Sequence, residues 1–190
     1  MTARMSAPAL INARTQLAQL GSPGPDLAKA IDERGTRVVF SAYISGGFTL
    51  NVINTIFIDP SLQNPKLADF LVCTLGHECS HVQQGYLVDS VQQELIAYQT
   101  EARIAAALNY ADGRQSFDKF LALDPTVARD LDVALEYILE MARGSPPTQT
   151  IYQSLPKFQP TGIADNAWAA VKQLSAAGIA GIQSLRKSGA

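Results

Sequence analysis

The residues best suited to chemistry in this chain lie together, in Leu75-Gly76-His77-Glu78-Cys79-Ser80-His81-Val82-Gln83-Gln84. His77 and His81 are the only histidines of the 190 residues, and they stand four apart. Each residue of an α-helix advances about 100°, so the two imidazoles sit one above the other on one face. Imidazoles so placed can bind a single zinc ion, one per chain. Glu78 lies beside them, about 60° from His81 on the same wheel. From there its carboxylate can reach a zinc-bound water, which is the place of a general base.

A catalytic zinc takes three protein ligands and leaves one position open. With no third histidine, the remaining ligand must be a thiolate or a carboxylate. Cys73 lies one turn before His77, but an ion held between the two histidines sits about two turns from it along the axis. Cys73 is therefore read as a small core residue, and Cys79, on the opposite side of the helix, as packing. The carboxylates that follow soonest on a helix are Glu94 and Glu101, seven apart and so on one face. Only one of them can bind the ion well. Glu94 is favoured because it comes first, in Glu94-Leu-Ile-Ala97-Tyr98, where the small Ala97 allows close helix approach. Glu101 is the alternative third ligand; otherwise it bonds a neighbour or lines the cleft.

These residues need elements to hold them. Asn64-Pro65 predicts the start of the central helix, with Asn64 as N-cap and Pro65 at the first helical position. Leu67, Phe70, Leu71, Thr74 and Leu75 give it an apolar face, and Gly85 is its stop. Asp89 or Ser90 caps the next helix, with Ser90-x-x-Gln93 resembling a capping box. That helix is expected to run to about Ala111 and end at Asp112-Gly113. Before the central helix, residues 8–20 and 26–34 read as short helices. Arg37–Ile44 and Phe48–Ile58 read as strands joined at Ser45-Gly46-Gly47 into a β-hairpin, ended by Pro60. After the site, helices are expected near 116–123 and 125–142. The proline-rich stretch 145–162 should be an extended linker, and 163–190 a final helix with Trp168, Val171, Ile182 and Leu185 as a narrow packing stripe. The expected fold class is α+β, mainly helical, with residues 1–144 as the principal domain.

The stretch Leu75–Ala105 resembles the zincin metallopeptidases of the gluzincin type. These carry a His-Glu-x-x-His helix followed by a helix with a glutamate ligand in Glu-x-x-Ala. His77-Glu78-x-x-His81 and Glu94-x-x-Ala97-Tyr98 match it, and the glutamines after His81 resemble small bacterial and phage-associated members. The chain departs from the commonest pattern at Tyr98, where an aspartate often orients a histidine. The resemblance implies zinc, a zincin-like fold, and hydrolysis of a peptide or protein substrate through a zinc-bound water with Glu78 as base. It also implies an extended substrate pairing with an edge strand from Phe48–Ile58. Tyr86, Tyr98, Tyr110 and Tyr152 are candidate donors to the oxyanion. A non-hydrolytic zinc-binding interaction protein of the same fold is the alternative, and Glu78 is the residue such a protein does not need.

Composition narrows the remaining classes. Apolar residues make up 47% and charged residues 17%, with a net charge of -2, as in ordinary globular domains. Lys and Arg are scattered, so a nucleic-acid partner is not expected. No run approaches the roughly 20 apolar residues of a membrane span, and no secretory signal is visible, so the expected setting is the cytoplasm or export by a non-classical route. Cys73 and Cys79, six residues apart on one predicted helix, lie about 9 Å from each other along its axis, too far for a disulfide. The tail invites a further expectation, that 145–162 lies in the cleft as an inhibitor or that the last helix mediates oligomerisation. The simpler expectation is a linker and a helix packed on the same domain.

Overall fold

Two short helices lead the chain, and each is set by its sequence. Pro8 opens α1 (Pro8–Gln19), and Leu10, Ala13 and Leu17 recur at helical spacing as its buried stripe. In α2 (Gly24–Arg34), Leu27, Ala28 and Ile31 do the same, and Gly35 closes the helix in the left-handed conformation. Full burial of each Leu or Ile contributes on the order of 2 kcal/mol, so these stripes rather than helix propensity hold the pair in place. The computed structural model describes residues 2–42, 44–143, 145–162, 165–173 and 175. The fold is α+β and mainly helical.

Two compact units make up the chain, one of Met1–Tyr86 with Ile96–Ala122, the other of Leu87–Leu95 with Leu123–Ala190. In the first unit α1 and α2 pack on α3 (Ala68–Gln84), the helix that carries both histidines. Asn64 accepts from the Lys66 amide at 3.1 Å and starts a 3-10 turn, Pro65–Leu67, that leads into α3. Gly85 ends α3 with φ +73°, a conformation a side chain would strain, and its amide bonds the carbonyl of His81. The following helix, α4 (Val91–Ala107), crosses α3 closely at Gly76: a Cβ there would run into the Ile104 side chain.

The sheet differs from the expected hairpin. It has three strands, β1 (Arg37–Phe40), β2 (Gly47–Leu50) and β3 (Thr55–Ile58), in the order β1-β3-β2. β1 pairs with β3 in parallel, and only β2 and β3 form an antiparallel hairpin. The predicted strand Phe48–Ile58 is broken by a 3-10 turn, Asn51–Ile53, closed by Asn54 at φ +49°. Asparagine tolerates that left-handed position, and the Asn54 side chain is tied to Arg34 O and Thr36 Oγ1. The fold-back brings β3 to the centre of the sheet, with Ile56 and Ile58 buried, and leaves β2 at the edge beside α3. The other edge, β1, is flanked by a bridge from Arg4 to Arg37.

Three further expectations are corrected. α4 stops at Ala107 rather than Ala111, because Asn109 takes a left-handed turn. Asp112-Gly113 then lies inside α5 (Ala111–Phe117), where the missing Cβ of Gly113 makes room for the Tyr110 ring. The stretch 145–162 is not wholly extended, since Pro146–Gln153 forms a helix, α7. Prolines at a helix start sacrifice no hydrogen bond, so a proline-rich stretch can open a helix as readily as prevent one. The helix expected over 125–142 is α6 (Ala128–Met141), preceded by a turn in which Asp124 accepts from the amide and hydroxyl of Thr126.

Residues 165–173 are helical, but the side buried is Ala169, while Trp168 is 62% exposed and Val171 52% exposed. The expected stripe therefore does not face inward at those two positions; Ile182 and Leu185 lie outside the described residues. Among the described residues no helix is long and apolar enough to cross a membrane.

Candidate metal centre

His77 and His81 project from the buried middle of α3, 7% and 5% exposed. Their Nε2 atoms lie 3.2 Å apart, with ring centroids 5.0 Å apart at 62°. A tetrahedral ion with metal–nitrogen bonds of about 2.0–2.1 Å would separate two ligand nitrogens by about 3.3 Å, so the spacing fits one shared ion. The third member is Glu94, in the opening turn of α4: ligand atoms of His77, His81 and Glu94 all fall within 4.8 Å of one another. All three are buried. Two imidazole nitrogens and a carboxylate oxygen form a donor set that can hold a metal ion.

Glu101 has another place. Its Oε2 lies 3.0 Å from Nδ1 of His77, on the side of the ring away from the Nε2 pair. A carboxylate there accepts from Nδ1–H, which fixes the tautomer with its lone pair on Nε2. The two glutamates that spacing alone leaves as alternatives thus lie differently: Glu94 groups with the nitrogens of both histidines, and Glu101 Oε2 stands at Nδ1 of His77. Tyr98, one turn from each, packs its ring edge-on against His77 at 4.6 Å and stacks on Phe120 at 4.6 Å. It is an orienting wall for the imidazole at the position where an aspartate was the commoner expectation. Of the other tyrosines, Tyr86 is exposed. Burial and nearby carboxylates push up the hydroxyl of Tyr110. Tyr152 lies on α7.

Glu78 is buried and held by the edge strand. The Thr49 hydroxyl donates to Glu78 Oε2 at 2.7 Å and lies 3.1 Å from the Glu78 carbonyl. Two residues earlier, on the same side of β2, Gly47 backs the carboxylate: a Cβ there would sit 2.5 Å from Glu78 Oε1. Asn51, in the turn after β2, donates to Tyr86 O at 2.7 Å and to His81 O at 3.3 Å, tying the hairpin to the end of α3. Sequence reasoning did not pick out Gly47, Thr49 or Asn51. The available signal was the period of two in Gly47-Phe-Thr49, which puts a gap and a hydroxyl on one face of a strand.

Cys73 and Cys79 are free thiols, fully buried, and stand outside this donor set. Burial first, and nearby carboxylates second, push both well above the usual thiol range, which suits inert core residues.

Compared with known proteins, the chain matches no family model, no curated sequence and no solved structure. The functional reading therefore rests on the site itself.

Proposed function

We propose that this protein is a zinc-dependent peptidase of the gluzincin type, with His77, His81 and Glu94 as metal ligands and Glu78 as general base. The observation that carries the proposal is the grouping of a nitrogen from each histidine and a Glu94 carboxylate oxygen within 4.8 Å, with a second, separately anchored carboxylate on the same helix as the histidines. A site that only stores or displays a metal has no use for the last of these groups. Zinc, when bound, supplies Lewis acidity toward water and the scissile carbonyl. Glu78 takes a proton from the attacking water and passes it to the leaving amine. Thr49 and Gly47 fix the direction of that carboxylate, and Glu101 and Tyr98 fix the His77 ring. The edge strand β2 offers its free side to an extended peptide substrate.

The test is hydrolysis of a peptide library by zinc-loaded wild type and Glu78→Gln. Cleavage in the wild type, lost by a factor of about a hundred or more in Glu78→Gln with zinc content unchanged, supports the proposal. Equal behaviour of the two would sink the peptidase reading and leave a non-hydrolytic metal-binding protein.

A further inference from the structure

The first four amides of an α-helix have no partner inside the helix. In α4 three of them, on Val91, Gln92 and Gln93, find partners outside the helix's own ladder. The Ser90 hydroxyl serves one, accepting from Gln93 N at 3.2 Å, and the Ser90 carbonyl takes the first bond of the helix ladder, from Glu94 N at 3.0 Å. The other two are met by main chain from far along the sequence, Val91 N donating to Pro156 O at 2.9 Å and Gln92 N to Lys157 O at 3.0 Å. Side chains double this grip. Gln92 accepts from Gln159 N at 3.3 Å and donates to Pro125 O at 3.0 Å. Gln173 closes on Asp89 from both directions, accepting from its amide at 3.4 Å and donating to its carbonyl at 2.7 Å. The stretch is itself fastened to α6, where Lys157 Nζ lies 2.6 Å from Asp132 Oδ1.

We infer that residues 156–159 and Gln173 form a positioning strap that sets Glu94 for the metal. The inference rests on the reading of Glu94 as a ligand. Helix stability alone does not call for such a device, because Ser90 is already a good cap and water could serve the two remaining amides. A metal ligand has a stricter need, since it must be held to within about half an ångström. The connection from α3 is held at Tyr86 O by Asn51 and at the buried Val88, but the Tyr86 and Leu87 side chains are exposed, and the Val91 and Gln92 amides at the start of α4 are bonded only from 156–157. The strap fixes Asp89, Val91 and Gln92 at the level of the main chain, and Glu94 follows within the same turn. Gln92 and Gln173 are accordingly positioning residues that act on the metal through Glu94.

The full-length chain, stripped of metal and titrated with cobalt(II), tests this. Cobalt affinity is measured by competition, and the visible d–d absorption reports the ligand set. The variants are Gln173→Ala, Gln92→Ala, the double variant, and Glu94→Gln as the reference for a lost carboxylate. The expected result is a loss of affinity of about tenfold in the double variant, with a spectrum shifted toward that of Glu94→Gln. Amide exchange at Val91 and Gln92 should quicken in the metal-free double variant. Should the double variant fail to fold, the single variants carry the same comparison. Affinity lost in Glu94→Gln but kept, with an unchanged spectrum, in the strap variants overturns the strap alone. Affinity unchanged in Glu94→Gln, or no cobalt binding in the wild type, overturns the ligand reading and the strap with it.

Discussion

Replacing Glu94 and Glu101 one at a time tests whether the first is a ligand and the second a support, and the two positions call for effects of different size. Glu101 Oε2 is 3.0 Å from His77 Nδ1, in a buried setting. A hydrogen bond of that kind to a charged group contributes about 1.5–3 kcal/mol, and its loss also frees the imidazole to change tautomer. Glu101→Ala should therefore weaken zinc binding by about 10–100-fold without abolishing it, the usual range for a partner behind a ligand. Glu101→Gln keeps an acceptor in place but removes the charge, so its loss should be smaller, about 3–10-fold. Glu94→Ala removes a donor atom and a charge from the ion itself, and its loss should exceed the hundredfold reached by outer partners. The assay is competition with a chromophoric zinc indicator, with circular dichroism to confirm folding and the melting of the metal-free chain as a control. In that control Glu101→Ala should lose about 1–3 kcal/mol, because His77 loses a buried partner. A greater loss of zinc in Glu101→Ala than in Glu94→Ala would refute the assignment. So would a Glu101→Gln variant no better than Glu101→Ala.

Two other predictions concern the base and the thiols. Gly47→Ala would set a methyl group 2.5 Å from Glu78 Oε1 and 2.9 Å from its Cδ, so the carboxylate must move. The turnover number should fall about a hundredfold with zinc content unchanged, and Thr49→Val should show a smaller fall, both read by peptide hydrolysis against metal analysis; wild-type turnover in Gly47→Ala would dismiss β2 as the base's support. Cys73 and Cys79 should resist a thiol reagent in the native chain and react together on unfolding. Because burial raises both thiols from the ordinary value of 9.0, their protonated state stabilises the fold fully below that pH. Stability should then fall above pH 9.0 by on the order of 1 kcal/mol per pH unit for each thiol, seen as a declining urea midpoint. Fast labelling of either cysteine in the folded protein would contradict this.

Local signals were legible where they act over one turn of chain. Gly85 and Ser90 mark the stop of α3 and the start of α4, and the structure has them there, whereas Asn64-Pro65 opens a 3-10 turn and α3 itself begins three residues later, at Ala68. The period of four placed both histidines on one face of α3. The sheet was less legible, because strand content can be read locally but partners cannot. Arg37–Phe40 looks like half of a hairpin with the strand that follows, yet it pairs with the strand after that, in parallel. The tail misled for a different reason: proline carries opposite meanings at the first position of a helix and inside one, and composition does not tell them apart.

The sequence by itself determined which groups can share one metal ion on one helix, because an α-helix has a fixed period and that period is written in residue spacing. It also reduced the remaining donor to Glu94 or Glu101, which lie on one face of the next helix. Tertiary structure decided where each of these lies. A Glu94 carboxylate oxygen falls within 4.8 Å of a nitrogen of each histidine, and Glu101 stands at Nδ1 of His77. The hairpin brings Thr49 and Gly47 to Glu78, and Pro156, Lys157 and Gln173 fasten the turn that bears Glu94. Such contacts join residues far apart in the chain, and their geometry depends on how whole elements pack. No local periodicity encodes that.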